Sequence, residues 1–183
     1  MPHVPQRIEL TAVRQALRRQ YLAALSMLRD ALRRCPDTLW NDATGGASLR
    51  ELGCDAAFLT RYHLHPSQDT FRPWPGLDPT PSLDADLANG PSATEATEPY
   101  STSRTEVLAY VEHVIESLDA SLEALDLGSS KSGFHGYRMS KLEHQLLTLR
   151  HLQHHTAQVV DRVREATGQA IPWIVSDRSD EVN

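Results

Sequence analysis

Three of the chain's nine histidines fall within "RHLQHHTAQ" at positions 150–158. His151 and His155 are four apart, a spacing that sets their Cβ atoms about 5–6 Å from each other on one face of a helix. Two imidazoles so placed can close on one divalent ion at Zn–N distances of about 2.0–2.1 Å. On a helical wheel with His151 at the origin, His144 falls at about 20°, His155 at about 40° and Gln158 at about −20°. These four make one polar stripe. His154 lies off it, at about −60°, and is the poorest ligand of the cluster. Leu152, Val159 and Val163 flank the stripe, while Leu142, Leu146, Leu149 and Val160 lie across from it. Apolar flanks suggest a stripe bordering a bundle interior, where metal sites are assembled from neighbouring helices. An exposed polar face, or buried histidines satisfied by hydrogen bonds, would give the same spacing.

The elements that must position these residues are helical. Leu10, Val13, Leu17, Tyr21, Leu25, Leu28 and Leu32 recur at intervals of three and four, which predicts a first helix of about 25 residues stopped by "CPD" at 35–37. Three Ser-x-x-Glu pairs, Ser48/Glu51, Ser103/Glu106 and Ser140/Glu143, have the form of capping boxes and mark three further starts. The helices they open are predicted over 48–64, 103–125 and 139–167, the last ending at Gly168 with Pro172 beyond. Val107, Tyr110, Val111, Val114, Leu118, Leu122 and Leu125 supply the apolar stripe of the third. Between the second and third lies 65–102, with seven of the eleven prolines. Extended chain covers over ~3 Å per residue, so this stretch can run back along a helix of about 25 Å and join two helices pointing the same way. The expected architecture is all-α, a single domain over 1–183: a four-helix bundle with a long Pro-rich crossover and a C-terminal tail, 169–183. Phe71, Trp74 and Tyr100 are candidates to cap the bundle mouth or to pack against it, and Trp40 and Trp173 to anchor loop and tail.

Bulk properties narrow the function. A net charge of −6 with only paired arginines at 18–19 and 33–34 argues against a nucleic-acid partner. No apolar run approaches the ~18–20 residues of a membrane span, and "MPHVPQRIEL" lacks the apolar region of a signal peptide. Two cysteines, Cys35 and Cys54, make no disulfide framework, so a cytoplasmic protein is expected.

"RHLQHHTAQVVDRVRE" followed by "GQAIPWI" resembles the last helix of the DinB/YfiT-like superfamily, and "CPDTLWND" and "FLTRYHLHPSQDTFRPW" extend the likeness along the chain. The resemblance implies an up-down-down-up four-helix bundle in which His151 and His155 are two ligands of a divalent metal. The family's third ligand is a histidine about eight residues before a tyrosine of the second helix, and counting back from Tyr62 reaches Cys54. Cysteine is itself a zinc ligand, and the alternative is a small buried hydrophobe. Asp55 and His63 are other ligand candidates, although His63 lies about 180° round the helix from Cys54. His144 would border the cavity, and Gln158 would hydrogen-bond a ligand or water. Zinc is the expected metal, with nickel second. The resemblance further implies a homodimer using a low-molecular-weight thiol, of the bacillithiol or mycothiol type, against an electrophilic small molecule, or a related hydrolase. The competing expectation is a metal-free, non-catalytic bundle that has lost its third ligand.

Overall fold

Capping and periodicity set the helices. In a computed structural model, which describes residues 9–44, 46–72 and 103–176, these are α1 (Leu10–Arg34), α2 (Asp37–Trp40), α3 (Leu49–His63), α4 (Arg104–Ala124) and α5 (Lys141–Thr167). A 3₁₀ turn spans Gln68–Thr70, and no strand occurs among the described residues. The protein is an all-α bundle. Of the crossover, 73–102 lie outside the described residues, and Trp74 and Tyr100 with them.

α1 ends where Pro36 forces Cys35 into extended geometry, with ψ of 124°. Pro36 then precedes the one-turn α2, an element that the periodicity of the sequence does not predict. α3 and α4 open on complete capping boxes: Glu51 N–H donates to Ser48 Oγ at 3.2 Å and Ser48 N–H to Glu51 Oε2 at 2.7 Å, with Ser103 and Glu106 repeating the pair. At α5 only half the box forms, Glu143 N–H donating to Ser140 Oγ at 3.2 Å. Gly168 closes α5 with φ of 69°, a left-handed turn in which its N–H reaches Arg164 O.

α5 packs on α1 and α3, and α4 packs on the same two helices from the other side. Arg14 donates to the carbonyls of Leu122 and Leu125, Arg18 pairs with Asp119, and Arg29 and Arg33 both reach Glu112, which ties α1 to α4. Tyr21 Oη donates to Gln145, and Arg34 to Ala170 O beyond the end of α5. The core between them takes Leu25, Leu28 and Leu32 from α1, the whole predicted stripe of α4, and Leu152, Val159 and Val163 from α5. Each such aliphatic side chain contributes about 1.5–3 kcal/mol on burial. Gly53 lets α3 approach α1 and α4 closely: a Cβ there would stand 3.1 Å from Leu32 and 3.3 Å from Val107.

Two expectations differ, and Phe71 takes the packing role. Leu10 is exposed and Val13 only partly covered, so burial in α1 starts at Leu17. Trp40 is buried as an anchor would be, whereas Trp173 is 67% exposed and anchors nothing. Phe71 is buried, edge-on to Phe58 and Tyr62, as part of the core. No helix among the described residues is long and apolar enough to cross a membrane.

Candidate metal centre

The α5 stripe faces inward against α3. His144, Thr148, His151 and His155 fall within an arc of about 60°, and His144 and Thr148 are fully buried. Leu146, on the far side, is 54% exposed. The polar residues, not the leucines opposite them, therefore meet the neighbouring helix.

At one end of this arc three atoms converge. His151 Nε2 and His155 Nε2 are 3.0 Å apart, and Asp55 Oδ2 of α3 lies 3.2 and 3.1 Å from them. An ion bonded at about 2.1 Å to three donors spaces them about 3.0 Å apart at right angles and about 3.4 Å at the tetrahedral angle. The triangle matches that range, so these side chains fit a divalent ion without rearrangement. Two imidazoles and one carboxylate on one face are a donor set used by zinc enzymes and by non-haem iron enzymes.

The protons sharpen this. His155 Nδ1 is 2.7 Å from Gln158 Oε1, an acceptor, so Nδ1 carries a hydrogen. In the neutral ring Nε2 is then a bare lone pair, aimed at a carboxylate oxygen and at a second imidazole nitrogen. A neutral His151 can offer this triangle only one Nε2–H, so one pair of atoms stays lone pair to lone pair unless a further proton or a metal ion is shared among the three. Burial lowers the basicity of His155, but the hydrogen bond and charge of Asp55, with Gln158, outweigh it and raise the pKa above 6.5. Burial likewise pushes the Asp55 carboxyl up, and the bonds and charges of His151 and His155 carry it well below the usual carboxylate range.

The sequence candidates divide accordingly. His151 and His155 come together as expected, and Gln158 supports His155 from an exposed position. His154 is exposed and only touches the ring of His155. Cys54, either a third ligand or a small buried hydrophobe on the sequence, is buried in the core, and Asp55, the other candidate beside it, lies against the histidine pair. One residue along a helix turns the side chain by about 100°, enough to exchange the core face for the α5 face. His144, expected to border the ligand pair, lies two turns away in a different cluster.

That cluster is buried. His63 and His144 have ring centroids 4.3 Å apart, and Phe134 and Tyr137 cover both rings. His63 Nδ1 is 3.0 Å from Thr148 Oγ1. Burial first, then the charge of Lys141, pushes the His144 imidazole down to about 4. Burial, then charge on His144, His151 and Lys141, holds His63 well below 6.5 against an opposing pull from Asp55. Tyr137 is pushed up to about 12 by burial, Tyr62 and Asp55. Nothing in the spacing of His63 and His144 marks them as partners, since they are brought together only by the packing of α3 on α5.

Comparisons with family models, with curated proteins and with solved structures match nothing to this chain.

Proposed function

We propose that the chain is a metal-dependent enzyme whose divalent ion, zinc by preference, is held by Asp55, His151 and His155. The single observation that carries this is the triangle of ligand atoms at 3.0–3.2 Å, one of them a lone pair fixed by Gln158. With a carboxylate as third donor, the metal site is complete without Cys54, and nickel remains the second candidate. In such a site the ion acts as a Lewis acid that lowers the pKa of a bound thiol or water.

The chain's own residues orient and limit access. Gln158 fixes the tautomer and ring plane of His155, as outer partners of ligand histidines do. Asp55 keeps 46% of its side-chain surface open, which gives a small molecule a way in. The resemblance of helix α5 to the DinB/YfiT-like superfamily makes the substrate pair a low-molecular-weight thiol and an electrophile, with hydrolysis as the sibling reaction. The same reading makes the bundle up-down-down-up. Its support is the pairing of helix ends: residues 14–33 of α1 meet 125–112 of α4, while 21 and 34 meet 145 and 170. It also includes a homodimer, and the exposed Leu146 on α5 suits a helix-face contact.

The test is conjugation of a generic electrophile by zinc-loaded protein across several thiols. Turnover above the uncatalysed rate that disappears in Asp55→Asn supports the proposal. No turnover with any thiol, and none in ester hydrolysis, overturns it. A second reading, a non-catalytic bundle, is favoured by one observation: the Asp55 carboxylate already ion-pairs with both histidines when they are protonated.

A further inference from the structure

Buried polar atoms without partners are few in native proteins, because each costs about 1–3 kcal/mol. Among the described residues, eight side-chain atoms are buried and unpaired, and three of these are arginine Nε atoms. Of the other five, four lie along the α3–α5 seam: His63 Nε2, His144 Nδ1, His144 Nε2 and His151 Nδ1. The fifth, Thr156 Oγ1, also lies on α5.

The hydrogen-bond directions say what these atoms require. Thr148 uses its hydroxyl proton on His144 O at 2.8 Å, so it accepts from His63 Nδ1–H at 3.0 Å. His63, a neutral ring, therefore presents Nε2 as an acceptor lacking a donor. His144, also neutral, has one N–H donor and one acceptor nitrogen, both unpaired. The two rings are tilted by 55° with centroids 4.3 Å apart, and neither satisfies the other. A group that both donates and accepts, and is small enough for a core site, meets these needs. Water is that group, and buried water characteristically makes about three hydrogen bonds to such atoms.

We propose that His63 and His144 hold an internal solvent site in the α3–α5 seam, extending along α5 to Nδ1 of His151. The seven residues from His144 to His151 span about 10.5 Å of helix, with Thr148 one turn from each end. Where the second nitrogen of His155 is held by the Gln158 amide, the second nitrogen of His151 is held by solvent. The two ligand histidines are thus supported differently: one by a fixed side chain, the other by exchangeable water. The role given to His151 rests on the metal-centre reading; the solvent site itself does not.

A crystal structure at about 1.5 Å resolution, with zinc content measured on the same untagged protein, tests this. The expected result is ordered water within about 3.2 Å of His63 Nε2 and of one His144 nitrogen. Dry contacts at those atoms, or rings turned so that they bond each other directly, overturn it. His144→Phe provides a second readout. It lowers Tm by about 3–8 °C if the ring binds water and raises Tm if the seam is dry. Ordered water in a protein that takes up no zinc upholds the solvent site while refuting the metal centre.

Discussion

Asp55 Oδ2 lies 3.1 Å from His155 Nε2, a carboxylate of α3 meeting an imidazole of α5 whose other nitrogen is already bonded to Gln158. The relationship makes Asp55 more than a surface acid. It joins α3 to α5 at this end of the bundle and sets the His155 lone pair against a carboxylate, a contact that a cation would relieve.

Gln158→Leu removes the acceptor that holds His155 Nδ1 while leaving all three ligand atoms. Zinc affinity is expected to fall about 10–100-fold, the usual effect of losing an outer hydrogen bond to a ligand histidine. Titration against a chelator of known affinity measures it; unchanged affinity would show that Gln158 does not orient the ring.

The buried histidines make stability pH-dependent. His144 titrates near 4 when folded and 6.5 when free, so the unfolded chain binds more protons between those values. Its contribution is fully present above about pH 6.5 and is lost as the pH falls toward 4, and His63 shifts in the same direction. Thermal melts from pH 7.5 to 4.5 should show Tm falling through this window. The fall should be shallower in His144→Phe, and an equal slope in both proteins would remove His144 as a cause.

Tyr21 is fully buried and donates its hydroxyl to Gln145 O and Oε1, both at 3.0 Å, while Gln145 Nε2 donates to His63 O at 2.9 Å. Tyr21→Phe should cost about 0.5–1.5 kcal/mol. Gln145→Ala should cost more, because it strands the His63 carbonyl and empties a fully buried site, although Tyr21 keeps the Gln145 backbone carbonyl. Denaturant midpoints at constant m-value report the difference, and the reverse order would contradict this linkage of α1 to α3 through α5.

Much of the fold was legible because its signals are local. The Ser48 and Ser103 capping boxes gave helix starts within a residue of those found, and the α4 stripe from Val107 to Leu122 is buried throughout. The His151–His155 pair was legible for the same reason, four residues on one helix. The third ligand was legible only as a choice among Cys54, Asp55 and His63. Whether Cys54 or Asp55 faces α5 depends on how α3 is rotated about its axis, and that rotation is set by contacts such as those of Gly53 with Leu32 and Val107. The His63–His144 pair needed the same information, being separated by 81 positions and joined only through packing. Leu10 misled because a stripe can continue beyond the partner helix that buries it.

The central claim is that Asp55, not Cys54, completes a metal site with His151 and His155. Zinc stoichiometry of untagged wild type, Asp55→Ala and Cys54→Ala, after equilibration with excess zinc and desalting, tests it most directly. The expected result is about one zinc per chain in wild type and in Cys54→Ala, and a loss of affinity in Asp55→Ala beyond the ~100-fold limit of an outer-partner effect. Folded, zinc-free wild type, or zinc lost in Cys54→Ala and kept in Asp55→Ala, would contradict it.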